Sequence, residues 1–234
     1  FLRGATFGRP GVELRGQTIA ALLLGALEPF VGLAIHGILG YDLISRFVVE
    51  IDYAAGRVHL HAPAHYAYTG PGESLALLLE GNVPYVAVQL GLPGRGPVEG
   101  TFLLDTGARV AMVLNRPFVE ANGLELDPTI AAPYGVGVGG ETKQRLGRVA
   151  EVRLGRQVLR EVVAGLSQDV RGAGADPDRA GLIGGEVLRR FRVLFDYPGQ
   201  RLILEPNAHL AEPYEYDMSG LFLAAAPPAF DRFR

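Results

Sequence analysis

Apolar and polar residues alternate along this chain in short runs, and the runs are interrupted too often by Gly, Pro and Asn to build long helices. Residues 83–90 alternate around Pro84, 98–104 run apolar into an acid, 109–114 lead away from it, and 148–154 and 157–165 continue the pattern. Each predicts a strand. A short helix is expected over 117–121, with Asn115 as its cap, Pro117 in its first turn and Asn122-Gly123 as its stop. Pro71-Gly72 and 92–97 read as loops, and beyond Pro206 the chain turns irregular, with Pro213, Pro227 and Pro228. The expected class is all-β.

The apolar run 19–35 is broken by Glu28-Pro29 and falls short of the ~20 clean apolar residues of a spanning helix. No membrane span is expected, and the run reads as buried β-structure. It also lies too far from the start to be a signal peptide.

The sequence repeats itself. Residues 37–60 superimpose on 181–204 at a constant offset of 144: Gly37, Gly40, Arg46, Phe47, Val49, Asp52, Tyr53, Arg57 and Leu60 recur as Gly181, Gly184, Arg190, Phe191, Val193, Asp196, Tyr197, Arg201 and Leu204. Residues 12–17 also resemble 152–157, at an offset of 140. Two units of one design are expected.

The strongest chemical signal is Phe102-Leu103-Leu104-Asp105-Thr106-Gly107-Ala108. From these residues alone two readings stand: hairpin punctuation, since Asp, Thr and Gly all suit turns, or an acid delivered by a buried strand for general acid/base work. Downstream, Gly181-Leu182-Ile183-Gly184 places two bulky apolar residues between glycines, followed by a short amphipathic run and the strand 191–196.

Together these two motifs resemble the aspartic proteases, whose lobes each carry an apolar-apolar-Asp-Thr/Ser-Gly turn and a later apolar-apolar-Gly segment crossing beside it in a psi shape. The spacing is similar to that of the compact retropepsin-like lobe. The resemblance implies β-barrel lobes with a psi motif, one complete and the C-terminal part of another. The division is then a truncated first lobe over 1–63, a linker over 64–75, a complete lobe over 76–206 and a tail over 207–234. Related bacterial proteins often carry a PDZ-like domain downstream, and the tail resembles the approach to one.

The resemblance also implies the chemistry. Asp105 would be one of two catalytic acids, Thr106 would brace the turn against the other lobe, and Gly107 would offer its N–H to the carboxylate. Leu182, Ile183 and Gly184 would support the turn. The glycine-rich run from Tyr134 through Gly135, Gly137, Gly139 and Gly140 would be the substrate-binding flap. Arg109 departs from the acid or small polar residue common in relatives. Subtracting the offset from Asp105 puts the partner acid upstream of Phe1, and a chain that starts at Phe fits a fragment, expected to be inactive as a monomer. The implied substrate is a peptide or protein, and no cofactor is called for.

Other chemistries fit less well. Gly135, Gly137 and Gly140 satisfy G-x-G-x-x-G, but Ala132-Pro133 precedes them and the polar run 141–145 follows, which denies the strand–turn–helix context of a dinucleotide site. His59, His61 and His65 form a conceivable zinc set, yet the repeat matches His59 and His61 to Ile203 and Glu205, which reads as outward-facing positions. No metal site is expected. By the same match Val58 and Leu60 are core, and Asp52 and Asp196 are hairpin-turn acids. A net charge of −3 argues against nucleic acid as a partner. With no cysteine there is neither disulfide nor thiol chemistry, and the compartment stays open, with a lean toward a bacterial periplasm. Two alternatives to a two-lobed enzyme remain: a peptide binder that kept the groove without the chemistry, and a homodimer with one Asp105 per chain.

Overall fold

A computed structural model describes residues 1–9, 11–20, 24–126, 129–137 and 140–216. The elements run β1 (Leu2–Arg9), β2 (Val12–Ile19), α1 (Glu28–Val31), α2 (Tyr41–Ile44), β3 (Val48–Asp52), β4 (Arg57–His61), β5 (Glu73–Ala76), β6 (Leu78–Glu80), β7 (Val83–Gly91), β8 (Val98–Leu104), β9 (Met112–Leu114), α3 (Arg116–Ala121), β10 (Ile130–Gly137), β11 (Gly140–Leu154), β12 (Gln157–Ser167), β13 (Gly181–Ile183), α4 (Gly185–Leu188), β14 (Phe191–Asp196) and β15 (Arg201–Pro206). The fold is all-β.

Six strands close on themselves in the order β7-β8-β13-β9-β12-β11, with β11 returning to β7 through Val152 opposite Leu90. Alternate side chains of these strands point inward, as a two-residue period requires. Val86, Val88, Phe102, Leu104, Met112, Leu114, Val149, Val162, Ala164 and Ile183 fill the interior, each all but inaccessible. β13 lies between β8, which it joins in parallel, and β9, which it joins antiparallel. The loop between β8 and β9 must therefore pass over the end of β13. That crossing positions the site.

A second sheet, in the order β4-β3-β14-β15-β5, packs one face on the barrel core. The first residues of β5 belong to the region 64–75, and pair with β15 from Leu204 opposite Glu73 onward. On the sheet's other face Val48, Leu194 and Ile203 form a small core under Tyr66 and Tyr68. His61 sits there, 2.8 Å from Glu50, which also accepts from Arg192 at 3.2 Å, and its ring lies 4.3 Å from that of Tyr66. The outward-facing position expected for the two imidazoles is met by His59, which is exposed, and only in part by His61, which is half-buried between Glu50 and Tyr66.

Three further expectations are corrected. Beyond Ile19, which ends β2, the described residues up to 35 do not form β-structure: a 3-10 turn spans Leu24–Ala26, and α1 starts with Pro in its first turn and ends at Gly32, whose φ of 74° lets its N–H return to the Glu28 carbonyl. The likeness of 12–17 to 152–157 does not extend to structure, because β2 continues through Gly16 whereas 154–157 turn from β11 into β12. Val58 is 62% exposed where its counterpart Leu202 is fully buried, because no strand covers the outer edge of β4 among the described residues.

Asn115 does precede the short helix, but its side chain caps nothing there. Its Nδ2 instead donates to the Asp176 carbonyl at 3.3 Å, while its main-chain carbonyl accepts from Val119.

Candidate active site

β8 is apolar and buried up to Leu104, and the chain turns at Asp105, which is half-buried, with Thr106 and Gly107 exposed beyond it. One carboxylate oxygen of Asp105, Oδ1, accepts the amide of Gly107 at 2.9 Å and that of Ala108 at 3.2 Å. The carbonyl of Asp105 also accepts from Ala108, at 3.3 Å. An Asp-Thr-Gly-Ala sequence folds this way because the short acid reaches its own backbone and Gly adds no Cβ to the turn. The carboxyl plane is fixed before any ligand arrives.

The turn is bolted to the segment arriving after β13. Asp105 donates its amide to the Ile183 carbonyl at 2.9 Å; Gly184, Gly185 and Glu186 donate to the carbonyls of Ala111, Ala108 and Val110 at 2.9, 2.6 and 3.2 Å. Gly184 is required by close approach: a Cβ there would collide with the Val110 carbonyl and lie 2.9 Å from that of Ala108. Leu182 is half-buried and Ile183 is buried in the barrel. Asp105, Thr106, Gly107, Leu182, Ile183 and Gly184 thus form one cluster, from residues that sequence spacing alone held far apart.

The glycine-rich hairpin is also present. β10 and β11 pair from Ile130 opposite Leu146 to Gly137 opposite Gly140, with Tyr134 and Gly135 in the strand. Gly139 lies outside the described residues. The dinucleotide geometry is absent here, since the run continues into strand β11 rather than into a helix.

The backbone carbonyls of Ala108, Val110 and Ala111, which receive three successive amides, carry no side-chain signature and were not legible in advance. Nor was Arg190. Fully buried, its guanidinium donates to the carbonyls of Glu186, His209, Leu210, Glu212 and Pro213 and lies 3.7 Å from the centre of the Tyr214 ring. It clamps the chain after β15 onto α4, directly behind the psi crossing. The repeat of Arg46 as Arg190 was its only signal.

Two concavities of the surface lie away from Asp105, one beside Glu186, Arg189 and Glu212, the other between Leu126, Ile130, Leu146 and Val163. No helix among the described residues is long and apolar enough to cross a membrane.

A strand-borne acid on an Asp-Thr-Gly turn, crossed by a Gly-bounded apolar strand inside a six-stranded barrel, defines an acid-protease type of domain. Residues 87–187 match the family model of the aspartyl proteases, Asp_protease_2. The chain is also similar to the crystal structure of a retropepsin-like aspartic protease from Rickettsia conorii, at 19% identity and a TM-score of 0.42 over 59% of this chain and 95% of that one. No curated protein matches it.

Proposed function

We propose that this domain is an aspartic endopeptidase in which Asp105 is one of two acids that activate a water. The observation that carries this reading is the Asp105 carboxyl, oriented by the amides of Gly107 and Ala108 at the mouth of a rigid barrel with Thr106 and Gly107 exposed beside it. A paired acid would complete the chemistry, because two adjacent carboxyls share one proton. The ionised member takes a proton from water as the oxygen attacks the scissile carbonyl, and the protonated member gives its proton to the developing oxyanion. Collapse of the tetrahedral diol then expels the amine, which takes up the proton drawn from water, while one hydroxyl of the diol returns its proton to the other acid and the pair again holds a single proton. In this reading Thr106 braces the second lobe, and the hairpin carrying Tyr134, Gly135, Gly137 and Gly140 closes over the peptide.

The arrangement of β3 and β14 favours a second lobe of the same chain over a homodimer. The pairing edge of β14 is already occupied by β3, its own counterpart in the repeat. A second copy would have to displace it.

The test supplies a second Asp-Thr/Ser-Gly strand, fused or added in trans, and follows cleavage of an unfolded protein by mass spectrometry. Cleavage by the completed protein, lost in Asp105→Asn with the fold intact by circular dichroism, is the expected result. Turnover that survives Asp105→Asn overturns the assignment.

A further inference from the structure

After β15 the chain is led, bond by bond, to a groove that the described residues leave open. Asn207 donates its Nδ2 to the Arg189 carbonyl at 2.9 Å, and the buried Arg190 holds the carbonyls of His209, Leu210, Glu212 and Pro213. Arg148 on β11 then donates one Nη1 to the carbonyls of both Glu161 and Tyr214, at 2.9 and 3.0 Å. Tyr214 is buried, Glu215 exposed and Tyr216 half-buried, the alternation of an extended chain with one face on the protein. Tyr216, the last described residue, forms part of the groove wall.

Leu92, Leu126, Ile130, Leu146 and Val163 form the rest of its apolar lining, around a volume of about 500 Å³, within the range of sites that bind a ligand. Its charged residues, Glu125, Arg148 and Glu161, are all exposed. Such a groove selects an occupant without charge, since burying an unpaired charge is costly. Residues 218–230 carry none, and after Gly220 they place three large apolar side chains in a row, Leu221-Phe222-Leu223. Leu221 follows Tyr216 within about 17 Å of extended chain. One wall of the groove is the base of the glycine hairpin, where Ile130 of β10 pairs with Leu146 of β11.

We infer that this groove is the seat of segment 218–223 of the same chain, which docks there by Leu221, Phe222 and Leu223 and braces the base of the β10–β11 hairpin. A segment joined to Tyr216 by a few residues meets the groove at an effective concentration in the millimolar range, which places it ahead of a free peptide or a second copy. The contact continues one already made, since Arg190 and Arg148 hold 209–214 along the barrel up to the groove's edge. Docking takes an apolar run and an apolar groove out of water together. A hairpin anchored at its base opens less readily. The docking does not rest on the proposed protease function; only the consequence that the tail tunes a hairpin closing over substrate does.

The 234-residue chain has no cysteine, so one engineered pair is the only bridge it can form. Val163→Cys is combined in turn with Leu221→Cys, Phe222→Cys and Leu223→Cys, and Val58→Cys, on the exposed strand β4 of the other sheet, takes its place as the reference. In the oxidised monomer, mass spectrometry should find at least one Val163→Cys pair bridged about tenfold more than its reference. Ile130→Arg, which puts a charge in the groove, should remove that excess. Leu221→Asp with Phe222→Asp should speed hydrogen exchange of the backbone amides within 130–137 about threefold, with the circular dichroism unchanged. Equal bridging at the two positions overturns the docking, and bridges found only between two chains assign the groove to a second copy and overturn it too. Bridging within the chain with unchanged hairpin exchange overturns the brace. Neither measurement uses peptide hydrolysis, so failure of the protease assignment would leave both results standing.

Discussion

The amide of Asp105 donates to the carbonyl of Ile183 at 2.9 Å, so the backbone that carries the acid is held by the strand that crosses beneath it. The side chain is held separately, by Gly107 and Ala108. Asp105→Asn keeps every one of these contacts, since an amide oxygen accepts as a carboxylate oxygen does. Under the proposed function it should cut kcat by about 10²–10⁴-fold, the usual contribution of a general acid/base group, with the thermal midpoint nearly unchanged. Steady-state kinetics beside a thermal melt check both halves of the expectation.

Gly184→Ala should destabilise the domain by about 1–3 kcal/mol, because its new methyl collides with the Val110 carbonyl and crowds that of Ala108, both of them backbone with little room to retreat. Gly185→Ala, whose Cβ would meet only the Ala108 carbonyl at 3.1 Å, should cost less. Urea titration of the two variants gives the comparison. Equal losses would mean that the crossing is looser than its hydrogen bonds indicate.

Arg190→Met removes the donor shared by five carbonyls and leaves those that stay buried without a partner. A loss of about 3 kcal/mol or more is expected, together with faster proteolysis within 207–214 as the clamp opens. Arg46→Met, at the exposed counterpart position, should change the urea midpoint little. Limited proteolysis followed by mass spectrometry locates the first cut.

Glu212 accepts from His209 and Arg189, and these bonds lower its pKa from the ordinary 4.5 to about 2. A folded-state value below the unfolded one stabilises the fold above the unfolded pKa, and that contribution is lost as pH falls through the folded value. Between about pH 4.5 and pH 2 the wild type should therefore lose stability more steeply than Glu212→Gln, whose side chain does not titrate. The group is exposed, so the difference is small. Urea midpoints measured across that range decide it, and parallel acid limbs would show that the ion pairs contribute nothing.

Much of the site was legible because it is written in contiguous residues with one physical meaning. An apolar run ending in Asp-Thr-Gly can only be a strand and a turn, and β8 occupies 98–104 as the alternation predicted. The repeat was legible for the same reason, and α2 and β3 stand where α4 and β14 place them. What escaped depends on neighbours that the local sequence does not specify. Val58 carries a core residue's side chain and is exposed because no described strand lies against it; residues 19–35 carry a strand's composition, yet the run enters a short helix at Pro29 and leaves it at Gly32; Arg190 looks like a surface residue and is buried because four carbonyls from a later segment converge on it.

The sheet that joins β3 to β14 imposes an order of events on synthesis. Val48 and Val49 are synthesised well before the strand that covers them, which ends at Asp196, so the β3–β4 hairpin must wait with an unpaired edge while almost the whole barrel is made. Such a distant pairing closes slowly even after release from the ribosome. The nascent chain is thus most prone to aggregate between the appearance of its first hairpin of that sheet and the arrival of the partner strand, an interval in which a holding chaperone has the most to shield.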